Sequence, residues 1–200
     1  MPTHLNPLVE PAFAGLKSVL SDRMAKLGEE IHATEFAQLL DPGLREILAG
    51  GFAEVGAHEG TVWIVDSTGK FLEPAFNNGP NAGQIVGQFQ QPLNAGLVSM
   101  VFATEQSFLE NDVAKNAQQS KLLDSKLNLQ TTALIAVPLQ FLNTCRGVIS
   151  CVQLEGAGKS ASASPGFRPE HLAVIQRCGA LVSQLIEYRL LSRTVGWNHE

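Results

Sequence analysis

The sequence predicts an α+β fold, and three features of the chain support that prediction. The segments 59–77 and 131–156 are each typical of two β-strands joined by a turn. Helical patterns with apolar seams stand at both ends of the chain. Between the two strand pairs lies the segment 74–104, which contains no charged residue.

Composition sets outer limits on the function. The 200 residues are 44% hydrophobic and 16% charged, which suits one domain with additional helix. A net charge of -5 without a Lys/Arg cluster argues against nucleic acid as a partner. The start of the chain is broken by prolines and does not resemble a signal peptide, and the uncharged window 127–145 is too polar for a membrane span. Three cysteines without ligand spacing suit a reducing compartment, so we expect a cytoplasmic protein that does not contact a membrane.

The helical patterns have recognisable boundaries. From Leu8 to Leu27 the apolar residues recur every three or four positions, which predicts an amphipathic helix. A second pattern, 36–52, is interrupted at Asp41, and Pro42 is predicted to be the first residue of a new helix that Asp41 caps. The longest helix is predicted from Arg168 to Val195.

This last helix carries two apolar seams about 100° apart. A single seam suffices to cover a sheet, so the second seam needs another partner. The first seam consists of Leu172, Ile175, Gly179, Val182 and Ile186, and the second of Val174, Cys178, Leu181, Leu185, Tyr188 and Val195.

The strand pairs are predicted from alternation. In the segment 131–156, residues 143–147 are the predicted turn. Between the pairs we expect a short strand over 84–91, a helix with Asn94 as its N-cap, a short strand at 108–109, and an irregular or loosely helical polar segment over 112–130. One face of the central pair is predicted to be apolar and the other mixed. The apolar face is assigned Ala133, Ile135, Val137, Leu139, Phe141, Val148, Ser150, Val152 and Leu154, and the mixed face Leu134, Ala136, Pro138, Ile149, Cys151 and Gln153.

The order of these elements, together with two local motifs, resembles the GAF domain, a sensory and regulatory module. Asp124, Asn128 and Thr131 occur at a spacing that the family uses before a strand containing Val-Pro-Leu, here 137–139. Asn replaces the family's Gly, and Asn tolerates the left-handed conformation that Gly usually supplies. The segment 167–170 is similar to the start of the family's last helix.

The resemblance implies a six-stranded antiparallel sheet. The terminal helices would pack on one face, and the cap segment 77–130 would enclose a pocket on the other. The implied organisation is a helical extension at 1–34 used for dimerisation, a GAF-like domain at 35–191 and a C-terminal tail at 192–200.

The expected function is a non-enzymatic sensory or regulatory domain in signal transduction. It would bind a small uncharged molecule and form a homodimer through the helices Val9–Leu27 and Arg168–Val195. Two alternatives stay open: a thiol-dependent reductase similar to the methionine sulfoxide reductases built on this fold, and an interaction module with a filled pocket. The cap contains neither Cys nor His, so no haem, bilin or metal site and no catalytic residue is expected. The absence of Arg from 46–145 disfavours nucleotide ligands.

The composition of the cap predicts where a ligand would lie. A lid over an apolar cavity avoids charge, because an unpaired buried charge is costly, and amides can serve a neutral guest. A competing prediction is that the same apolar residues fill the space as ordinary core. The predicted polar lining is Asn94, Ser99, Asp112 and Thr131, and the predicted apolar walls are Phe89, Val98, Phe102 and Leu134.

Overall fold

A six-stranded antiparallel sheet forms the centre of the fold. The computed structural model describes residues 15–156 and 165–197. The strands follow the spatial order β3-β2-β1-β6-β5-β4, and every neighbouring pair is antiparallel. The predicted α+β fold is therefore confirmed. The strands are β1 (Glu59–Val65), β2 (Phe71–Asn77), β3 (Gln91–Pro92), β4 (Phe108–Glu110), β5 (Thr131–Phe141) and β6 (Thr144–Leu154).

Helices cover one face of this sheet and shorter segments cover the other. Within the described residues, three helices precede β1, one long helix follows β6, and the remaining helices lie within the cap. The helices are α1 (Leu16–Glu29), α2 (Ala33–Leu39), α3 (Pro42–Glu54), α4 (Ala82–Ile85), α5 (Leu97–Thr104), α6 (Leu122–Leu127) and α7 (Pro169–Thr194), and a 3-10 turn spans Val113–Lys115. The described residues include no helix long and apolar enough to cross a membrane.

The start of α3 agrees with the sequence prediction. The Asp41 side chain accepts a hydrogen bond from the Leu44 backbone N–H at 2.8 Å, and Pro42 is the first helical residue. Arg189 of α7 donates to the Leu39 carbonyl at 2.6 Å and forms an ion pair with Asp41. The Leu44 N–H, followed by Arg189, lowers the pKa of Asp41. The cap of α3 therefore also fixes α7 to the helical layer.

The turn between β5 and β6 is shorter than predicted. It consists of Leu142 and Asn143, with φ values of 54° and 61°, and the residues from Thr144 onward already belong to β6. Positive φ at both central residues is what a two-residue type I′ hairpin turn requires. The Leu142 N–H donates to the Glu187 carboxylate of α7 at 2.6 Å. The predicted turn over 143–147 is therefore wrong.

A bulge in β6 changes the faces of the hairpin. Phe141 pairs with Thr144 next to the turn, but Leu139 pairs with Gly147, so β6 has one extra residue over this stretch. Beyond this bulge Val137 pairs with Ile149 and Ile135 pairs with Cys151. Directly paired residues share a face, so the predicted grouping of Val137 with Val148 is wrong. The face toward the long helices carries Ala133, Ile135, Val137, Leu139, Phe141, Ile149 and Cys151, whereas Leu134, Ala136, Val148 and Val152 face the cap.

The first seam of α7 packs on the sheet as predicted. Ile175, Val182 and Ile186 are each fully buried, and they join Phe36 and Phe52 of the preceding helices in one core cluster. Helix α1 packs against α7. On the second seam Cys178 is buried, whereas Leu181, Tyr188 and Val195 remain 42%, 52% and 50% exposed. Residues 8–14 of the predicted first helix lie outside the described part of the chain.

Two predictions within the cap are wrong. The segment 84–91 does not form the predicted strand, because a helical turn ends at Ile85, Gly87 adopts a φ of +70°, and within this segment only Gln91 belongs to a strand, β3. Asn94 does not cap α5, since that helix begins after Gly96, whose φ is +93°. The short strand β4 and the loosely helical segment after it are confirmed.

Candidate functional site

A cavity of about 90 Å³ lies between the cap-facing side of the sheet and the cap. An engineered apolar cavity of about 150 Å³ accepts benzene, so this space suits a few waters or a compound of a few non-hydrogen atoms. Its walls come from β1, β2, β5 and β6 below and from α4–α6 with their connections above. The lining includes Glu59, Thr61, Trp63, Asn77, Ile85, Gln91, Gly96, Leu97, Val98, Gln119, Ser120, Asp124, Thr131, Leu134, Ser150 and Val152.

Three of the eight predicted site residues line this cavity. They are Val98 of α5 and Thr131 and Leu134 of β5. Whether any of the eight binds a ligand stays a prediction.

The other five predicted residues do not line this cavity. The Ser99 hydroxyl donates to the Pro92 carbonyl at 2.8 Å, and exposed Asp112 pairs with Lys115 at 2.7 Å. Asn94 is exposed ahead of α5. Phe89 packs edge-on against Trp63 with the ring centroids 6.1 Å apart. Phe102, one turn beyond Val98 on α5, packs in the same apolar cluster as Trp63.

The Asp124 motif ties α6 to β5. The Asp124 carboxylate accepts hydrogen bonds from the Thr131 backbone N–H at 3.0 Å and from the Thr131 hydroxyl at 2.8 Å. Asn128 ends α6 in the left-handed conformation, with a φ of 53°, as the Asn-for-Gly substitution predicts. Asp124 and the left-handed Asn128 thus hold the end of α6 against β5, where Asp124 and Thr131 line the cavity.

Glu59, at the start of β1, is a site residue that sequence reasoning missed. It is only 6% exposed, and no donor among the described residues reaches its buried Oε1 atom. Burial raises the pKa of Glu59, and the Asn77 amide and His58 oppose that shift. A Cβ atom at Gly79 would lie 2.3 Å from the Glu59 carboxyl carbon, so the chain at Gly79 passes directly over this group.

The alternation of side chains along β1 indicates which of its residues face the cavity. Glu59, Thr61 and Trp63 are every second residue of the strand, and all three line the cavity. The Asn77 amide donates to the Thr61 hydroxyl at 2.9 Å, and the Trp63 indole N–H donates to the Ser150 hydroxyl at 2.8 Å. The side chains of Thr61, Trp63 and Ser150 are therefore hydrogen-bonded, whereas Oε1 of Glu59 has no donor among the described residues.

Gln119 supplies a second unpaired acceptor from the cap. Its Nε2 donates to the Asp124 carboxylate at 3.1 Å, and this bond fixes the orientation of the amide. Its Oε1 atom is buried, and no hydrogen-bond donor from the described part of the chain contacts it. The described residues contain no group of three His, Cys, Asp or Glu that could hold a metal ion.

The comparisons with known proteins identify the family. The model of the GAF domain family matches residues 33–187. The chain belongs to the GAF domain family. The resemblance drawn from the order of elements and the Asp124 motif is confirmed. A search of curated proteins found no match.

Solved GAF domains share the fold at low sequence identity. The GAF domain of the Acinetobacter phosphoenolpyruvate-protein phosphotransferase is 13% identical, with a TM-score of 0.58 over 90% of this chain and 97% of that one. The GAF-B domain of DevS from Mycobacterium smegmatis is 16% identical, with a TM-score of 0.58 over 78% and 99%. The free methionine-R-sulfoxide reductase from Neisseria meningitidis is 16% identical, with a TM-score of 0.56 over 88% and 89%. These identities show a common fold alone.

The three cysteines of this GAF domain are poorly suited to thiol chemistry. None of them lines the cavity. Burial raises the pKa of Cys145 to about 11 and that of Cys151 to about 12, and it also raises the pKa of Cys178. The thiolate is the nucleophile in disulfide and sulfoxide chemistry, so little reactive sulfur is present near pH 7.

We therefore expect that a variant with Cys145→Ser, Cys151→Ala and Cys178→Ala keeps every function of the wild-type protein. The wild-type protein should react slowly with Ellman's reagent when native and rapidly when unfolded in urea, because unfolding removes the burial. Neither protein should reduce methionine sulfoxide. Reductase activity present in the wild type and lost in the triple variant would contradict this expectation.

Proposed function

We propose that this GAF domain is a non-enzymatic sensory or regulatory module that binds a small molecule in the cavity beneath its cap. The observation that carries the proposal is a cavity whose lining residues include Glu59 and Gln119, because each of these side chains has a buried Oε1 atom without a donor among the described residues. Buried polar groups in folded proteins are ordinarily hydrogen-bonded, so an unpaired pair at one cavity favours a bound partner. A filled pocket, as in an interaction-only module, would leave no such space.

The cap is built from short elements that can move away from the sheet. It consists of short helices, two- and three-residue strands and connecting loops, whereas β5 and β6 are each 11 residues long. Lys126 of α6 donates to the Gln88 carbonyl at 2.7 Å and lies over the Phe89 ring, 5.7 Å from its centroid. This exposed contact bridges two cap segments and is weak enough to break and reform.

Native mass spectrometry of freshly purified protein tests the proposal. We expect a bound species of low mass that is lost after unfolding and refolding. Val98→Phe places a ring into the cavity and should abolish the bound species, whereas Val98→Ala should retain it. Wild-type protein that never carries or acquires a small molecule, while Val98→Phe folds with unchanged or higher stability, would contradict the proposal and favour a packing void.

The second part of the proposal is a homodimer formed through α1 and α7. Apolar side chains remain exposed on the outer side of this helical pair, including Leu16 at 48%, Val19 at 53% and Leu181 at 42%. A second copy would present the same apolar stripe and cover it by two-fold symmetry. Removing that surface from water at ~25 cal/mol per Å² favours association.

We expect light scattering at tens of micromolar protein to give the mass of a dimer. Leu181→Glu with Val195→Glu should produce a monomer of unchanged stability, because both side chains are exposed and two carboxylates would face two others across the symmetry axis. Gln176→Glu adds charge at an exposed position on the same helix but about 140° around its axis from Leu181, and should leave the dimer intact. A wild-type monomer at these concentrations would overturn this part of the proposal.

A regulatory role without catalysis fits the remaining chemistry of the domain. The cavity lining contains no cysteine or histidine among the described residues. The three free thiols, two of them buried, suit a reducing compartment such as the cytoplasm.

A further inference from the structure

We infer that the ligand of this cavity is a small organic cation, with an ammonium group bound by the Glu59 carboxylate. The inference rests on the proposed function, because it requires the cavity to be a ligand site. It replaces the uncharged ligand expected from the composition of the cap with a charged one.

The sign of charge around the cavity points to a cation. The lining contributed by the described residues has two carboxylates, Glu59 and Asp124, and contains no Lys, Arg or His. His58, next to Glu59 in sequence, accepts from the Leu154 backbone N–H through Nδ1 at 2.9 Å and does not line the cavity. A desolvated carboxylate needs a positive partner or a strong donor to offset the cost of burial.

Of the two carboxylates, only Glu59 has an oxygen atom that can accept a further hydrogen bond from a ligand. Asp124 accepts from the Thr131 N–H, the Thr131 hydroxyl and the Gln119 amide, so protein donors already occupy its oxygens. Oε1 of Glu59 has no donor among the described residues, and Glu59 is 6% exposed. Binding would therefore occur at Glu59.

The remaining polar groups match an ammonium group better than a hydroxyl. An ammonium group carries three donors and no acceptor. Oε1 of Glu59 and Oε1 of Gln119 are two buried acceptors that need donors. Hydrogen bonds from an ionised donor to a carboxylate are also about twice as strong as neutral ones.

The apolar walls define the rest of the ligand. Trp63, Ile85, Leu134 and Val152 surround the space with hydrocarbon and one indole ring, and Trp is the aromatic side chain that attracts cations most strongly. Their presence favours a short alkyl chain over a bare metal ion. One feature opposes a cation, since the N-terminal end of α5 at Gly96 borders the cavity and carries partial positive charge. An anionic probe therefore belongs in the test.

The test compares three isosteric probes by ligand-observed NMR at pH 7, because ligands of four or five non-hydrogen atoms bind weakly. The probes are n-propylamine, n-propanol and propionate, and the protein is first unfolded and refolded to remove any bound species. We expect n-propylamine to bind at least about tenfold more tightly than either analogue. Glu59→Gln should weaken the amine at least about tenfold, whereas Glu54→Gln, at an exposed position on α3, should not change it. A transferred NOE between the alkyl protons and the Trp63 indole in wild-type protein gives a readout that needs no variant.

The outcomes separate this inference from the proposed function. The inference of a cationic ligand would be overturned if n-propanol bound as tightly as n-propylamine, if propionate bound more tightly, or if Glu59→Gln bound the amine as well as the wild type does. Each of these results would still leave the cavity as a ligand site. If none of the three probes binds, the cation is overturned, and native mass spectrometry then decides the proposed function independently.

Discussion

Replacing Gly147 with alanine is expected to lower the free energy of unfolding by about 3 kcal/mol or more. Gly147 lies in β6 directly beside β1, and a Cβ atom there would be 1.9 Å from the Trp63 carbonyl oxygen. That oxygen belongs to the backbone of a central strand, so it cannot move aside as a side chain can. The two strands would have to separate where the floor of the cavity is formed.

Urea denaturation measures this effect, and Gly50→Ala is the matched control. Gly50 is exposed within α3, and no described atom lies within 4 Å of the added Cβ position. Because alanine favours helix more than glycine, this control should raise the free energy of unfolding by up to about 1 kcal/mol. The same glycine-to-alanine change should thus lower the free energy of unfolding at position 147 and raise it at position 50. An unchanged midpoint for Gly147→Ala would show that the β1–β6 contact is looser than the structure describes.

Asp124→Ala is expected to lower the free energy of unfolding by about 2–4 kcal/mol and to loosen the cap. The carboxylate accepts two hydrogen bonds from Thr131, which is 7% exposed, and one from Gln119. Truncation leaves the buried Thr131 N–H without its acceptor. It also releases the Gln119 amide from its fixed orientation at the cavity.

Hydrogen exchange by mass spectrometry distinguishes this local effect from general instability. Amides in 113–131 should exchange faster in Asp124→Ala than in the wild type, while those of β5 and β6 beyond Ala133 should keep their order of protection. The control is Asp112→Ala, in the same cap, where the ion pair with Lys115 is exposed to solvent and its loss should hardly change stability. Equal effects from the two variants would contradict the role assigned to Asp124.

Features encoded over a few residues were predictable from the sequence. The Asp41–Pro42 start of α3, the sheet-facing seam of α7 and the left-handed Asn128 each depend on a side chain and its immediate neighbours. These predictions hold because the conformation that the local sequence favours is also the conformation in the folded protein. The resemblance to the GAF domain added the strand order, which no local pattern contains.

The faces of the β5–β6 hairpin were not predictable by alternation alone. Alternation assigns the residues of each strand to two sides, but the turn and any bulge decide which sides match across the pair. Leu142 is an unusual residue at positive φ, so the local sequence does not indicate the two-residue turn. The bulge between the Phe141–Thr144 and Leu139–Gly147 pairs then places Val148 toward the cap and Ile149 in the helical core.

The position of the cavity was predictable from the sequence, whereas the buried carboxylate in its lining was not. The cavity does lie between the central hairpin and the cap, where Val98, Thr131 and Leu134 line it. The uncharged segment 74–104 predicts an uncharged ligand, whereas Glu59, a carboxylate of the cavity lining, lies before that segment. The burial of Glu59 depends on the chain crossing over it at Gly79, a contact between residues twenty positions apart that no local pattern reveals.

The stability of ligand-free Glu59→Gln tests most directly whether Glu59 serves a ligand and not the fold. Burial raises the pKa of Glu59 above its unfolded value of 4.5, so the unfolded chain releases the proton first as the pH rises. The wild type therefore loses stability relative to the neutral variant above about pH 4.5 and should match it below that pH. Urea denaturation of refolded protein at pH 7 should show Glu59→Gln to be more stable by about 1 kcal/mol. A less stable Glu59→Gln at pH 7 would mean that the carboxylate supports the fold, and it would contradict the account.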